Sequence, residues 1–404
     1  MGVPMPHILM VASTASSHIY PSLALMRELV DRGHRVSYVV GEELVPLVQP
    51  TGAEVVAHPS ILPQGGDENW PDDIGESMRV FLDEGIAVLP MLIERFDDDR
   101  PDLVLYDIGG HPGAILAARY GVPAVQLSPA FVAWDTFEQD NGEFYEALKT
   151  SVSGRAYFDT FTAWFRENGL DWDAETKQPD HILALLPKAM QPFADRVPDT
   201  VRFVGPCLDP VRLADDSWTP PPAGRRVLLV SFGTAYTDQL HVYRSVIEAF
   251  GLAGEQGDVL GPEADDAWHV VLAIGRRVNP DDLGPLPVNV EVHEQVPQLT
   301  VLASADAFIT HAGMGGCTEA LWFGVPTVAI PQAVDQFANA DKLAELGIGI
   351  HLPAAEVSAE SIRLSVDSVA NSPAVRERLA VLSAETRANG GVENAADAVE
   401  SFLG

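Results

Sequence analysis

The chain has 404 residues, of which 47% are hydrophobic, and it carries a formal net charge of −33 at pH 7. This length suits two or three domains, each large enough to bury a core, and the acidic charge argues against nucleic acid and anionic membranes as partners. Cys207 and Cys317 are too few cysteines for a disulfide framework, so a cytoplasmic, reducing location is expected. The apolar run Pro6–Ser13 is interpreted as a strand rather than a signal peptide, and no bilayer-spanning segment is predicted.

The first half opens with a predicted strand, helix and strand. The apolar run His7–Ser13 is typical of a buried parallel strand, and apolar residues at helical spacing follow Pro21 as far as Gly33. Arg35–Val40 is the next predicted strand. His18 falls in the loop between the first strand and the helix, at the edge of the sheet where ligands bind, and is therefore a candidate site residue.

Further strands are predicted at Glu54–His58, Leu103–Tyr106 and Ala124–Ser128. Asp107 directly follows the middle one of these, at the same sheet edge as His18. A carboxylate there has two interpretations: it caps the next helix, or it orients an imidazole and stabilises its protonated form.

The region from Phe131 to about Pro198 is rich in aromatic residues and poor in strand patterns. It is either a helical subdomain with an aromatic core or an apolar ligand pocket, and both can hold for different residues. The aromatic residues beyond Phe131 are Trp134, Phe137, Phe144, Tyr145, Tyr157, Phe158, Phe161, Trp164 and Phe165.

The second half repeats the α/β pattern after a strand at Arg202–Pro206 and a Pro-rich linker at Leu208–Arg225. The predicted strands are Val227–Phe232, His269–Ile274, Val288–His293, Phe308–Thr310, Thr327–Pro331 and Gly347–Leu352. The predicted helices include Glu319–Phe323, Ser358–Ala370, Ala374–Arg387 and Val392–Phe402.

A glycine turn at His311–Gly316 stands between the strand Phe308–Thr310 and the helix Glu319–Phe323. Such a turn occurs in many α/β proteins, but it also allows the backbone and a helix N-terminus to approach a phosphate. Glu319, placed on the first helical turn, can accept hydrogen bonds from ribose hydroxyls. Asp335-Gln336 follows the next strand at the ligand-binding edge.

The pattern HAGxGGxxE…GVPxVxxPQxxDQ in this stretch resembles the donor-binding signature of family-1, UDP-dependent glycosyltransferases, in particular the bacterial macrolide glycosyltransferases and their flavonoid-modifying relatives. PSLALMRELVDRGHRVSYV, PDLVLYDI and VEVHEQVPQL are similar to the same family, so the resemblance covers in effect the whole chain. It implies an α/β protein of the GT-B fold, with two Rossmann-like domains facing a cleft. The implied divisions are an acceptor-binding domain at 1–210, a linker at 211–225, a nucleotide-sugar-binding domain at 226–385 and a helix at 386–404 that returns to the N-terminal domain.

The resemblance also implies the roles of individual residues. His18 would be the general base of an inverting O-glycosyltransferase and Asp107 its partner, with glucose as the leading sugar. Trp134, Phe137 and Phe131 would bind the acceptor, and no cofactor or metal is expected, since no residue cluster has metal-ligand spacing. The implied donor-binding residues are Ser231, Gly233, Thr234, Gln295, Val296, Gln298, His311, Gly313, Gly315, Gly316, Cys317, Glu319, Asp335 and Gln336.

Four residues depart from the family pattern. Ser17 stands where Gly is usual, Tyr20 where Asn or Thr is common, Gln295 where many relatives have a Trp that stacks on uracil, and Cys317 where Ser or Thr is common. The expected partners are a UDP-sugar and a hydrophobic small molecule such as a macrolide or flavonoid, for a monomer or homodimer acting in self-resistance, detoxification or biosynthetic tailoring. Alternatives are a dTDP-deoxysugar transferase that tailors an antibiotic and an inert nucleotide-sugar-binding partner protein. An epimerase lacks its pair of carboxylates here, and a nicotinamide dehydrogenase is disfavoured because Ser13–Tyr20 contains no glycine.

Overall fold

The computed structural model describes residues 5–63, 70–172, 178–252 and 267–403. The chain divides into two compact units, the first made of Met1–Cys207 with Gly390–Gly404 and the second of Leu208–Asn389. None of the helices in the described ranges is both long enough and apolar enough to cross a lipid bilayer.

Each unit is built on one parallel β-sheet. The strands are β1 (His7–Val11), β2 (Arg35–Gly41), β3 (Glu54–His58), β4 (Leu103–Asp107), β5 (Ala124–Ser128), β6 (Ile182–Ala184), β7 (Val201–Phe203), β8 (Arg226–Ser231), β9 (Trp268–Ala273), β10 (Val290–His293), β11 (Ala307–Thr310), β12 (Thr327–Ala329) and β13 (Gly349–His351). The strand order is β3-β2-β1-β4-β5-β6-β7 in the first sheet and β10-β9-β8-β11-β12-β13 in the second. Neighbouring strands run parallel; in β1 and β4, for example, Ile8 pairs with Leu103.

The direction in which strands are added reverses once in each sheet. In the first sheet β2 lies on one side of β1 and β4 on the other, and in the second sheet β9 and β11 flank β8 in the same way. Open α/β sheets bind ligands at such switch points, beyond the carboxyl ends of the strands. The segments that follow β1, β4, β8 and β11 are therefore where a site is expected.

Helices pack on both faces of each sheet. They are α1 (Ser16–Asp31), α2 (Val45–Val48), α3 (Ile74–Phe96), α4 (Pro112–Tyr120), α5 (Phe137–Asp140), α6 (Gly142–Thr150), α7 (Val152–Glu167), α8 (Pro210–Leu213), α9 (Leu240–Phe250), α10 (Gln298–Leu302), α11 (Met314–Phe323), α12 (Gln336–Glu345), α13 (Ala359–Ala370), α14 (Pro373–Asn389) and α15 (Val392–Glu400). Along β1, Ile8 and Met10 join a core cluster with α1 and α15, whereas Leu9 and Val11 join one with α3, α4 and α7. Burial on both faces explains why these strands are continuous apolar runs in the sequence.

The predicted start of the first helix is wrong. α1 begins at Ser16, so His18 lies in its first turn rather than in a loop, and Pro21 lies inside the helix. The helix extends back this far because the carbonyl of Ala15 accepts hydrogen bonds from the backbone N–H groups of His18 and Ile19. A proline is tolerated close to a helix start, so Pro21 marks the region but not the first residue.

The aromatic region contains a strand that its sequence pattern did not indicate. β6 has three residues and pairs with β5 and β7 in the first sheet. A strand of three residues is too short for its periodicity to be recognised. The remainder of the described region is largely helical, in α5, α6 and α7, and residues 173–177 lie outside the described residues.

The segments at the two predicted domain boundaries each belong to one unit. Residues 211–225, interpreted from sequence as a linker, cluster with the second unit, and α8 begins just before them. The C-terminal helix α15 belongs to the first unit, where it packs against α1. Arg32, at the end of α1, donates from Nη1 to Asp397 at 2.6 Å and to Glu400 at 2.7 Å.

Candidate active site

His18 and Asp107 meet at the switch point of the first sheet. Asp107 is the last residue of β4, and His18 lies in the first turn of the helix that follows β1. The His18 ring nitrogen Nδ1 lies 2.9 Å from Oδ1 and 3.1 Å from Oδ2 of the carboxylate. These residues are 89 positions apart in the chain, so only the parallel pairing of β1 with β4 brings them together.

The Asp107 carboxylate is held by the loops around it. Oδ1 accepts a hydrogen bond from the Ser13 hydroxyl and one of 3.1 Å from the backbone N–H of Gly109. The loop after β4 can close against β1 only because of two glycines: a Cβ on Gly109 would lie 2.4 Å from Ser13 Oγ, and one on Gly110 would lie 2.2 Å from the carbonyl oxygen of Val11. The motif YDIGG therefore positions the carboxylate, and Asp107 does not cap the next helix, because α4 begins at Pro112 with His111 as its N-cap residue.

The electrostatics of this pair favour an ionised carboxylate. Asp107 is 1% exposed. Burial raises its pKa, but the charge of His18 and hydrogen bonds from His18, Ser13 and Gly109 together hold the pKa below its usual range. An ionised Asp107 places the imidazole N–H on Nδ1 and so makes Nε2 the basic nitrogen of the ring. The pair can therefore take a proton from a hydroxyl group.

An aromatic residue that the sequence did not single out, Phe81, lies beside His18, and a second, Trp70, packs against Phe81. The ring centroid of Phe81, on α3, lies 6.1 Å from that of His18, and the Trp70 ring lies 5.3 Å from that of Phe81. Phe81 is one of many apolar residues at helical spacing in α3, so its sequence pattern alone could not distinguish it from a core residue. An apolar surface beside the base is suited to a hydrophobic acceptor.

Two of the three predicted acceptor residues line a cavity of about 260 Å³ in the first unit. The rings of Trp134 and Phe137 are 4.6 Å apart, edge to face. Trp134 is fixed by a 2.6 Å hydrogen bond from Nε1 to Asp140 and by contact with the Phe193 ring at 5.0 Å. Phe131 lies on the same loop, outside the residues that line the cavity.

The aromatic residues of α7 are core residues. They pack with α3 and α4 in the cluster on one face of the sheet, and Phe161 stacks on Phe165 with ring centroids 4.3 Å apart. The interpretation as an aromatic core holds for these side chains, the pocket interpretation fits Trp134 and Phe137, and Phe158 belongs to the core cluster and also lines the cavity. The α7 residues in the cluster are Tyr157, Phe158, Phe161, Trp164 and Phe165.

His311 lies at the switch point of the second sheet, directly after β11. Its ring is enclosed by two glycine backbones: a Cβ on Gly233 would lie 2.7 Å from Cε1, and a Cβ on Gly313 would lie 2.5 Å from Nε2. Gly233 also has φ +73°, a conformation that favours glycine. These two predicted donor-site glycines therefore make room for the His311 side chain.

Burial lowers the pKa of His311 to about 4. The ring is therefore neutral near pH 7 and can donate a hydrogen bond without carrying a charge. Its surroundings suit a hydrogen bond to a phosphate oxygen, and a bound anion would raise the pKa again.

The predicted boundary between the glycine turn and its helix is wrong. α11 begins at Met314 with Gly313 as its N-cap, so Gly315 and Gly316 are helical and Glu319 lies in the second turn, not the first. Three glycines near a helix start weaken the sequence signal because glycine has a low helix propensity. Cys317 is buried in this helix, and burial raises the pKa of its thiol, so it is an inert core residue.

Glu319 is 7% exposed, and both of its carboxylate oxygens accept hydrogen bonds. Arg212 donates from Nη1 to Oε1 at 2.9 Å, and Gln298 donates from Nε2 to Oε2 at 2.6 Å. Sequence reasoning placed Gln298 at the donor site but missed Arg212, which precedes Glu319 by 107 residues. Its place in a Pro- and Asp-rich stretch suggested only a linker.

Asp335 and Gln336 are at the start of α12, where Asp335 is the N-cap residue. Gln336 is 3% exposed, and its Oε1 accepts hydrogen bonds from the backbone N–H groups of Gln332 at 2.8 Å and Ala333 at 3.2 Å. Val334, which directly precedes Asp335, has φ +45° and is 70% exposed. A β-branched residue in this conformation is strained, and such strain is found at ligand-binding loops.

Asn339, which sequence reasoning missed, joins two donor-side loops. It is fully buried, and its Nδ2 donates to the Ala312 carbonyl and to Asp335 Oδ2, both at 2.9 Å. Ala312, next to His311, has φ +63°, and its N–H donates to Thr310 Oγ1 at 3.1 Å. Asn339 therefore fixes a strained residue of the glycine turn relative to the Asp335 carboxylate.

The remaining predicted donor residues lie on loops of the second unit. Ser231 ends β8, and its Oγ accepts a 3.4 Å hydrogen bond from the backbone N–H of Gly233. Thr234 is exposed in the following turn, and Gln295 is exposed in the loop between β10 and α10. Val296 is partly buried against the core cluster beneath that loop. The structure thus places these residues at the carboxyl edge of the second sheet.

Substitution of Gly315 by alanine should weaken UDP binding without destabilising the protein. A Cβ at this position meets no protein atom within 4 Å, and alanine has the higher helix propensity. If the diphosphate contacts the first amides of α11, the methyl group displaces it, and losing one charge-assisted hydrogen bond raises Kd by about tenfold or more. Isothermal calorimetry with UDP measures this change.

Gly142→Ala is the matched control, since Gly142 also lies at a helix start and its added Cβ meets nothing within 4 Å. The control should bind UDP as the unchanged protein does. Equal UDP affinity in Gly315→Ala and the unchanged protein would contradict diphosphate binding at this helix.

Substitution of Asn339 by leucine should destabilise the second unit. The change removes one buried and one partly buried hydrogen bond and leaves the buried Ala312 carbonyl without this partner; such a loss at a buried acceptor costs about 1–3 kcal/mol. Urea unfolding should therefore show a large loss, whereas Asn389→Leu, at an exposed residue of α14, should change stability by less than about 0.5 kcal/mol. Equal stability of the two variants would show that the bridge contributes nothing.

Comparison with known proteins identifies the chain at the level of a family. A family model described as "Erythromycin biosynthesis protein CIII-like, C-terminal domain" matches residues 259–401. Oleandomycin glycosyltransferase of Streptomyces antibioticus is 43% identical over 404 aligned residues, which cover 98% of this chain and 91% of that protein. Demethyllactenocin mycarosyltransferase of Streptomyces fradiae is 31% identical, with 99% of this chain and 87% of that protein covered.

Solved structures agree with these relatives. The glycotransferase of kitacinnamycin superimposes with a TM-score of 0.88 at 40% identity and covers 99% of both chains. The calicheamicin glycosyltransferase CalG4 gives a TM-score of 0.85 at 32% identity, again covering 99% of both chains. The predicted fold class, with two Rossmann-like parallel α/β domains, is confirmed. The chain belongs to the GT-B, family-1 glycosyltransferases that include the bacterial macrolide glycosyltransferases.

Proposed function

We propose that this glycosyltransferase transfers a hexose, with glucose the leading candidate, from UDP to a hydroxyl group of a hydrophobic natural product such as a macrolide or a flavonoid. The observation that carries the proposal is the pairing of His18 with a buried, ionised Asp107 at the switch point of the first sheet. Its relatives named for oleandomycin and demethyllactenocin support an antibiotic-like acceptor. The aromatic surfaces at Phe81 and Trp134 suit an apolar molecule.

In the proposed reaction, His18 Nε2 takes the proton of the acceptor hydroxyl. The acceptor oxygen then forms a bond to the anomeric carbon of the sugar from the face opposite UDP, the bond from that carbon to the diphosphate oxygen breaks, and UDP leaves with the electron pair. Asp107 stabilises the imidazolium that forms. The product from an α-linked donor is a β-O-glycoside.

The departing diphosphate would be stabilised by the second unit. The neutral His311 ring and the first amides of α11 are hydrogen-bond donors, and the helix N-terminus carries partial positive charge. The proposed mechanism assigns no step to a metal ion, so EDTA should leave the rate unchanged. Asp335 and Gln336 would bind the sugar hydroxyls, and Glu319 the ribose.

The test is incubation of the purified protein with UDP-glucose and a panel of macrolides and flavonoids, followed by UDP release and product mass. A gain of one hexose in the acceptor, with β-configuration by NMR, supports the proposal. Transfer from a dTDP-deoxysugar but not from UDP-glucose would contradict the proposed donor, whereas the proposed mechanism would stand. UDP binding without transfer from either donor to any acceptor would favour the inert binding protein.

A further inference from the structure

The carboxylate of Glu319 has protein partners on both oxygens before any ligand binds. Arg212 bonds Oε1 at 2.9 Å and Gln298 bonds Oε2 at 2.6 Å, and the side chain of Glu319 is 9% exposed. The guanidinium of Arg212 also balances the charge of this enclosed carboxylate. Each oxygen of Glu319 thus has a hydrogen-bond donor without a contribution from a nucleotide.

The fold holds Arg212 in this position. Asp209 caps α8 by accepting a 3.0 Å hydrogen bond from the N–H of Val211. Just beyond the helix, the Thr300 hydroxyl on α10 donates to the carbonyl of Asp215 at 2.6 Å. Further along, Trp218 is buried, and its Nε1 donates to Glu291 at 3.0 Å. The segment that carries Arg212 is therefore attached to the second unit beyond the arginine, and α8 itself packs against α10.

Because both carboxylate oxygens already have protein donors, the loss of a ribose hydroxyl lowers the affinity for the nucleotide less than it otherwise would. When a buried polar group depends on a substrate hydroxyl for its hydrogen bond, an analogue without that hydroxyl leaves the group unpaired and is rejected strongly. A carboxylate oxygen can accept a second hydrogen bond from a ribose hydroxyl while it retains the bond from Arg212 or Gln298. Losing that hydroxyl then removes one bond but leaves neither oxygen without a partner.

We propose that Arg212 and Gln298 make the ribose site tolerant of a missing 2′-hydroxyl, so that the protein binds ribonucleoside and 2′-deoxyribonucleoside diphosphates with similar affinity. This inference rests on the proposed function, in which Glu319 binds the ribose. Arg212 acts on specificity through Glu319 and is a positioning residue. Sugars attached to UDP and to dTDP would then both enter the donor site.

The matched ligands are UDP and dUDP, because they differ only in the 2′-hydroxyl, whereas dTDP also carries a methyl group on the base. Calorimetry on the unchanged protein should give Kd values within about tenfold of each other, the value of one ordinary hydrogen bond. In Arg212→Met, one oxygen of Glu319 loses its protein donor and relies on a ribose hydroxyl for a hydrogen bond. The ratio of the Kd for dUDP to the Kd for UDP should therefore increase to about a hundredfold. Gln298→Leu removes the other donor and should widen the ratio independently.

Arg244→Met is the control, since this exposed arginine on α9 bonds only a backbone carbonyl in the described structure. In this variant the ratio of the Kd values for dUDP and UDP should be the same as in the unchanged protein. Circular dichroism and thermal melting test whether each variant is folded. If Arg212→Met does not fold, the Kd ratio in Gln298→Leu tests the inference instead. If Kd for dUDP is a hundredfold higher than Kd for UDP in the unchanged protein, the inference is overturned. It is also overturned if the variants fold and bind UDP but show the same dUDP to UDP ratio as the unchanged protein. Absence of binding to both nucleotides overturns the inference and the donor site together, whereas a narrow ratio without sugar transfer contradicts only the proposed function.

Discussion

Replacing His18 by alanine should lower kcat by about a hundredfold to ten-thousandfold, the range that a general base contributes, and leave the affinity for UDP unchanged. The imidazole lies against Asp107 in the first unit, whereas the residues proposed to bind the diphosphate lie in the second. The loss should therefore appear in the chemical step and not in donor binding. Single-turnover kinetics with UDP-glucose and an active acceptor measure the step, and calorimetry measures UDP binding.

The histidine at position 241 provides a control for His18→Ala. His241 is exposed on α9, and His241→Ala should retain the full rate. If His18→Ala turned over as fast as His241→Ala, His18 would not be the base, and the proposed mechanism would be wrong while the family assignment stood.

Replacing Asp107 by asparagine should lower kcat by roughly ten-thousandfold, the scale expected when a carboxylate that orients a catalytic histidine becomes an amide. The side chains have nearly the same shape, and the asparagine oxygen can still accept from Ser13 and Gly109. The amide nitrogen would stand at the Oδ2 position, 3.1 Å from His18 Nδ1, and it is a donor, so it favours the tautomer in which Nδ1 is the acceptor and Nε2 carries the proton. The ring then lacks a basic nitrogen toward the acceptor, and no anion stabilises the imidazolium.

Asp97→Asn is the matched control for Asp107→Asn. Asp97 forms an exposed ion pair with Arg119 at 2.8 Å, and exposed pairs contribute about 0–1 kcal/mol to stability. This control should fold and react as the unchanged protein does. If the Asp107→Asn protein folds and retains full activity, the Asp107 carboxylate does not assist His18 in the reaction, and its role is structural only.

Local sequence patterns were sufficient for the two-unit α/β architecture. The strands are buried on both faces and so appear as apolar runs, as in β1, β4 and β8. The residues proposed for catalysis and donor binding follow these strands directly, which is why a linear motif contains so many of them. Patterns failed where local signals are weak: β6 is too short to be recognised, and the glycines of α11 hid its start.

The sequence by itself predicted that polar residues follow the central strands of two parallel sheets, and it singled out His18, Asp107, His311 and Glu319 as candidate site residues. Only the tertiary structure decided which groups surround them. Asp107 receives hydrogen bonds from His18 and Ser13 because β1 pairs with β4, and Glu319 receives one from Arg212, 107 residues earlier, because α8 packs on the second unit. Periodicity and motif spacing report on neighbours along a helix or strand, whereas these partners meet through strand order and packing between distant segments.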